Sequence, residues 1–212
     1  EFRRVLFRSD DEFDLAGAAT GVVDEENLLG ESRVQEGDVL LAMPSSGFHA
    51  NGYSLIRHIV TSRNLSLDKE IPELQRSLGE VLLTPTEIYT RDCLVLMKAL
   101  AGSLRAFSHI TGGGLAANTE RVIPQGLCAT FDRSTWRLPF EFEYLSKVGT
   151  VPQPDMERTW NCGVGMVAVI DKATVELALK TLSARGMKAW IAGEVIQTDS
   201  DSRSMLQGNY IS

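Results

Sequence analysis

Four short segments of this chain hold residue types able to do chemistry. The first is SSGFHANGYS, residues 45–54. Hydroxyls from Ser45 and Ser46, the open backbone at Gly47 and the start of a helix together suit an anionic oxygen. His49 and Asn51 add side-chain donors and acceptors for orienting a nucleotide-like ligand. The same spacing also serves a plain strand-to-helix turn in which the serines cap the helix. The second segment, TGGGLAAN, runs from Thr111 through Gly112, Gly113 and Gly114 into a helix. Three consecutive glycines weaken any regular element, so they call for a reason such as close approach to a ligand, or a tight loop. No Lys-Ser or Lys-Thr follows them, which excludes the phosphate-binding P-loop, and GxGxxG is absent. The third is NCGVG, residues 161–165. Cys162 invites a nucleophile reading, but no histidine is near it in sequence, and small-residue packing against the glycine loops is the better expectation. His109 stands alone, either a proton shuttle or a loop histidine with its bonds made locally. The carboxylates are scattered, and no pair has metal-ligand spacing.

These loops need strands and helices to hold them. Residues 13–23 read as a strand rich in small residues, and the polar run 30–38 as a boundary. The unbroken apolar run 38–43 predicts a buried strand opening into the first loop. A helix follows, with Leu55, Ile56, Ile59 and Val60 on one face. Residues 61–80 read as a polar surface excursion. Pro85 to Leu100 predicts a second helix, with Ile88, Tyr89, Leu96, Met97 and Leu100 inward. A short helix through Asn118 and Val122 comes next, then a strand over 127–131. Residues 139–148 predict a helix with Phe142 and Leu145 inward, and 164–170 a buried strand. Asp171 caps a helix ending before Gly186, and 190–196 forms the last strand. Beyond it the chain reads as a loose tail. Short strands interleaved with amphipathic helices predict an α/β (α+β) layered sandwich, a mixed sheet with helices.

The chain has 212 residues, 43% hydrophobic and 23% charged, the balance of an ordinary globular protein. A net charge of −7 argues against nucleic acid or an anionic membrane as partner. Three widely spaced cysteines give neither a disulfide framework nor a zinc pattern. No apolar run approaches the roughly 18 residues of a membrane span, and a cytoplasmic location is expected. The first nine residues, EFRRVLFRS, lack the period of either a helix or a strand and read as a non-native scar.

Taken in order, GDVLLAMPSSGFHANGYSLIR, LLTPTEIYTRDCL, AFSHITGGGLAANTERVIP and RTWNCGVGMVAV resemble the successive segments of the phosphoribosylformylglycinamidine cyclo-ligases, the aminoimidazole ribonucleotide synthetases. FDLAGAATGVV resembles the last strand of that family's amino-terminal domain. The resemblance divides the chain into a remnant of that domain (10–30), a carboxy-terminal synthetase domain (31–197) and a tail (198–212). It implies ATP-dependent, Mg2+-assisted ring closure of formylglycinamidine ribonucleotide in purine biosynthesis, by a homodimeric parent. ATP and magnesium would be held mainly by an amino-terminal half that this chain lacks, so the chain alone is expected not to cyclise its substrate. The resemblance makes Ser45, Ser46, Gly47, His49, Asn51 and Thr111 to Gly114 substrate-binding elements and His109 a candidate catalytic group. Phe48 and Ala50 depart from the family's common pattern, where proline and serine are frequent. The alternatives are a non-catalytic ribonucleotide-binding module and another ATP-dependent enzyme of the same superfamily.

Overall fold

The computed structural model describes residues 17–211, together with the backbone of 7–9 and 12–13. The two short amino-terminal segments pair as an antiparallel ladder, β1 (Phe7–Ser9) with β2 (Glu12–Phe13). The strand expected over 13–23 is not seen: 14–16 lie outside the described residues, and 17–23 are exposed and irregular. Val22 and Val23 find nothing to pack against and stay in solvent.

The centre of the molecule is β3 (Val39–Pro44), whose continuous apolar run is needed because both faces are covered. Around it β6 (Leu104–His109), β7 (Leu127–Asp132), β8 (Val164–Ile170), β9 (Trp190–Gln197) and β10 (Ser204–Gln207) complete a six-stranded sheet ordered β10-β7-β9-β3-β8-β6. Only the β10–β7 pair is parallel, so the sheet is mixed, as expected. Leu40, Ala42, Val167 and Val169 face one layer, with Leu115, Ile123 and Trp136. Val39, Leu41, Met43, Ala168 and Ile170 face the other. There they meet Leu96 and Leu100 of α3 (Thr90–Leu100) and Ala178 and Leu182 of α7 (Val175–Ser183). A third core joins α1 (Tyr53–Ser62), α2 (Leu78–Leu82), α5 (Phe140–Gly149) and α6 (Gln153–Thr159) around Phe48, Phe142 and Trp160. The remaining helix, α4 (Gly114–Thr119), starts on the last glycine of the second loop.

Four further sequence expectations are corrected. The stretch 61–80 is more than an excursion: β4 (Glu70–Ile71) and β5 (Arg76–Ser77) form a hairpin, and Ile71 and Leu78 enter the third core. The second helix starts at Thr90, not Pro85, because the preceding segment is bonded to the first loop. Ser46 Oγ donates to the Pro85 carbonyl (2.7 Å) and Tyr89 Oη to the Pro44 carbonyl (2.7 Å). That leaves Ile88 75% exposed rather than inward. Strand β6 and helix α6 were not anticipated. The tail is not loose: β10 adds to the sheet edge, and Tyr210 packs on Trp136 and donates to Glu157 (2.9 Å).

Candidate functional site

Strands β3 and β6 both run antiparallel to β8, and Met43 and His109 both oppose Met166. The turn before β8 and the loops after β3 and β6 therefore converge on one edge of the sheet. The pairing slips between Met43 and Pro44, which puts Gly165 in a bulge of β8. A Cβ at Gly165 would lie 1.8 Å from Tyr89 Oη and 2.8 Å from His49 Cε1. Only glycine lets both rings pack against the strand. The ring centres of His49 and Tyr89 are 6.2 Å apart, and those of Tyr89 and His109 are 6.1 Å apart. His49 is buried and His109 is exposed, with Tyr89 buried between them. Burial, followed by the Glu87 and Cys93 charges, raises the Tyr89 hydroxyl above its ordinary value, so it is a donor at neutral pH.

The first loop is fastened from the turn before β8. Ser45 N donates to the Gly163 carbonyl (2.9 Å) and Ser45 Oγ to Asn161 Oδ1 (2.9 Å). Asn161 Nδ2 donates to the Gly47 carbonyl (2.8 Å). His49 takes a left-handed backbone (φ 57°), and its Nε2 accepts from Ser46 N at 3.1 Å. A ring that accepts at Nε2 carries its proton on Nδ1. Burial, then the neighbouring His109, lowers the His49 pKa to about 4, so it is neutral at physiological pH. Phe48 explains its own departure from the family pattern, because it fills the third core against Phe142 (4.5 Å) and Trp160 (5.1 Å). Asn51 is half-buried on the following turn, and Ala50 is exposed.

The second loop is fastened by its own helix. Asn118 Nδ2 donates to the carbonyls of Thr111 (3.1 Å), Gly112 (3.2 Å) and Gly114 (2.8 Å), and Thr111 Oγ1 donates to Asn118 Oδ1 (3.1 Å). The three glycines divide by cause. Gly113 has φ 103°, and Gly114 has φ 73° with the Glu157 carbonyl 1.7 Å from where a Cβ would be. Both are explained by the fold itself, so the expectation of ligand approach narrows to Gly112, which faces open space. Cys162 is 2% exposed, and burial pushes its thiol up to about 12. It is no nucleophile.

Tyr89 and Glu141 escaped the sequence reading. Tyr89 was read as one apolar residue of a helix face, and only its acidic, threonine-rich surroundings hinted otherwise. Glu141 lies beside Gly47, with its Oε1 4.0 Å from where a Cβ would be, and burial holds its carboxyl above the usual range against the opposing Arg76 charge. No sequence signal marks it. Beside Pro44 and Ser45 a cleft of about 430 Å3 opens, lined by Arg91, Lys188 and the Arg185–Asp92 ion pair (2.6 Å). A larger cavity of about 690 Å3 lies over β7 and β9 beside Lys172, and no candidate residue lines it. Among the described residues, no three His, Cys, Asp or Glu are grouped to hold a metal ion, and no helix is long and apolar enough to cross a membrane.

The family model for the AIR synthase related protein, C-terminal domain, matches residues 35–205, which include all three converging segments. The chain belongs to this family. A Nitrosococcus oceani phosphoribosylformylglycinamidine cyclo-ligase is 45% identical over 193 residues, 91% of this chain and 52% of the relative. The Sorangium cellulosum enzyme of that name is 41% identical over 189 residues, 89% of this chain and 54% of the relative. The chain thus spans about half the length of these relatives. Among solved structures, thiamine-monophosphate kinase from Stenotrophomonas maltophilia K279a aligns with TM-score 0.59 at 16% identity, covering 89% of this chain and 56% of the kinase. A hydrogenase maturation protein HypE in complex with ATP aligns with TM-score 0.51 at 16% identity, covering 84% of this chain and 49% of that one. At such identities the shared feature is the fold of the AIR synthase related domain.

Proposed function

We propose that this chain supplies the substrate-binding half of an ATP-dependent cyclo-ligase that closes formylglycinamidine ribonucleotide to aminoimidazole ribonucleotide. The observation carrying this reading is the meeting of three loops, with the His49, Tyr89 and His109 rings, at one sheet edge of a chain whose relatives bear that enzyme's name. In this reaction the formyl amide oxygen attacks the γ-phosphorus of ATP and releases ADP. An internal nitrogen then attacks the activated carbon, the ring closes and phosphate leaves with the former amide oxygen. The reaction demands placement and charge stabilisation rather than a protein nucleophile. A buried thiol and loops built on backbone amides fit that demand. Ser45, Ser46, His49, Asn51 and Thr111 orient the ribonucleotide, and Gly47, Gly112, Gly113 and Gly114 let backbone approach it. His109, at the open end of the ring cluster, is the candidate catalytic group in this reading.

ATP, the ligand in one complex of this fold, is the phosphoryl donor in this reading. Among the described residues no carboxylate cluster fits Mg2+, and the ion has no ligand assigned among them. The parent enzyme is read as a cytoplasmic homodimer. The test is calorimetric titration of the chain with formylglycinamidine ribonucleotide. Binding that His49→Ala abolishes is expected, without ADP release from Mg-ATP. Wild-type affinity in His49→Ala would remove the site assignment, and steady ADP release would remove the division of labour.

A further inference from the structure

Asn161 lies in the turn before β8, fully buried, and both ends of its amide are engaged. Oδ1 accepts from Ser45 Oγ and Gly163 N, each at 2.9 Å, and Nδ2 donates to the Gly47 carbonyl at 2.8 Å. These bonds fix residues 45 and 47, on either side of the one amide, Ser46 N–H, that reaches His49 Nε2. His49 holds a left-handed backbone, which a non-glycine residue adopts only at a cost in free energy. Something outside the loop must therefore hold it.

We propose that Asn161 is the positioning residue for His49: by pinning the Ser45–Gly47 turn it commits Nε2 to Ser46 N–H and keeps the ring proton on Nδ1. His49 is then a neutral hydrogen-bond donor, set by a side chain over a hundred residues away in sequence. Its Nδ1 is buried and has no hydrogen-bond partner among the described residues. A buried donor left unpaired is costly, and a ligand's acceptor oxygen would recover that cost. The group recognised is a carbonyl or phosphoryl oxygen. The opposite tautomer would turn a lone pair toward that oxygen and repel it. The ligand part of the inference rests on reading this edge as the ribonucleotide site; the tautomer part does not.

The experiment is two-bond 1H–15N correlation NMR of the histidine rings in the labelled chain. In the wild type, Nδ1 protonated, Nε2 bare and a His49 midpoint about 4 are expected. In Asn161→Ala the ring should mix tautomers, with Nε2 carrying the proton in part of the population. A folded Asn161→Ala chain with an unchanged His49 tautomer overturns the proposal. If that variant does not fold, Ser45→Ala cuts the Ser45–Asn161 bond from the other side, and an unmoved His49 there overturns it equally. Asn118→Ala loosens the other loop and should leave His49 alone; an equal shift would mean general loosening and also overturn it. Adding formylglycinamidine ribonucleotide to the wild type separates the two readings. Silent His49 signals would remove the substrate assignment and leave the positioning role intact.

Discussion

Loop 45–52 and loop 111–114 leave strands on either side of β8, are both rich in glycine, and both enter a helix. They are held in opposite ways. The second is tied by Asn118, seven residues on, so a single local segment encodes its shape. The first is tied by Asn161, 116 residues away from Ser45, and its shape exists only once β3 and β8 have paired. A locally encoded loop can be glycine-rich for internal reasons, as at Gly113, whereas Gly114 is required by the close approach of α6. A loop held from a distance can afford one strained residue, and here that residue is the buried histidine.

Gly114→Ala attacks this contrast most strongly. Its Cβ would fall 1.7 Å from the Glu157 carbonyl, and the backbone there has φ 73°. A rigid backbone oxygen cannot give way, so α6 must move. A loss of at least about 4 kcal/mol is expected, at the extreme of single substitutions. Because α6 leads directly to Asn161, the first loop should suffer too. Urea unfolding measures the loss, and amide exchange at Ser45 and Gly163 shows where it spreads. If Gly114→Ala spares those two amides, the two loops are held independently of each other.

What was legible in the sequence follows the same division. Runs whose burial is continuous or periodic, such as 39–43, 164–170 and the face of α1, announced themselves because one stretch of chain carries the whole pattern. Strand β6 did not: its buried positions are Leu104, Ala106 and Ser108, only one of them large, and Arg105 between them reads as surface. In fact Arg105 is only 13% exposed and pairs with Asp38 (3.3 Å) and Asp171 (3.0 Å), partners invisible without the fold. Helix α6 buries only Met156, too little for an amphipathic stripe. Strand β10 has no pattern of its own and is held by its parallel ladder to β7, with Leu206 packed on the first core. In the site, the glycines, serines and histidines were readable as residue types. Tyr89 was not, because what makes it a site residue is the missing side chain at Gly165, seventy-six positions away.

The second test uses the titrating group that only the first loop contains. His49 has its pKa lowered from 6.5 to about 4, so between those values the unfolded chain binds the extra proton. Stability should therefore be full above pH 6.5 and fall as pH drops toward 4, by at most about 3 kcal/mol from this group. Urea midpoints of the wild type and His49→Asn across that window isolate the effect, asparagine being tolerant of a left-handed backbone. The two curves should converge as the pH falls. Parallel curves would mean that the histidine is not held as described.

The smallest effect on stability, and the sharpest separation of fold from function, is expected at Gly112. Unlike its two neighbours it is not in the left-handed region, and a Cβ there would meet nothing within 4 Å. Gly112→Ala should change stability by less than about 0.5 kcal/mol, the range of ordinary surface substitutions. If backbone at this edge approaches the ribonucleotide, the added methyl occupies space the ligand needs, and affinity should drop while the unfolding midpoint stays put. The paired measurement is a urea midpoint and a ribonucleotide titration on the same sample. Unchanged affinity would leave no function for Gly112, and the second loop would become a structural turn from Thr111 to Gly114.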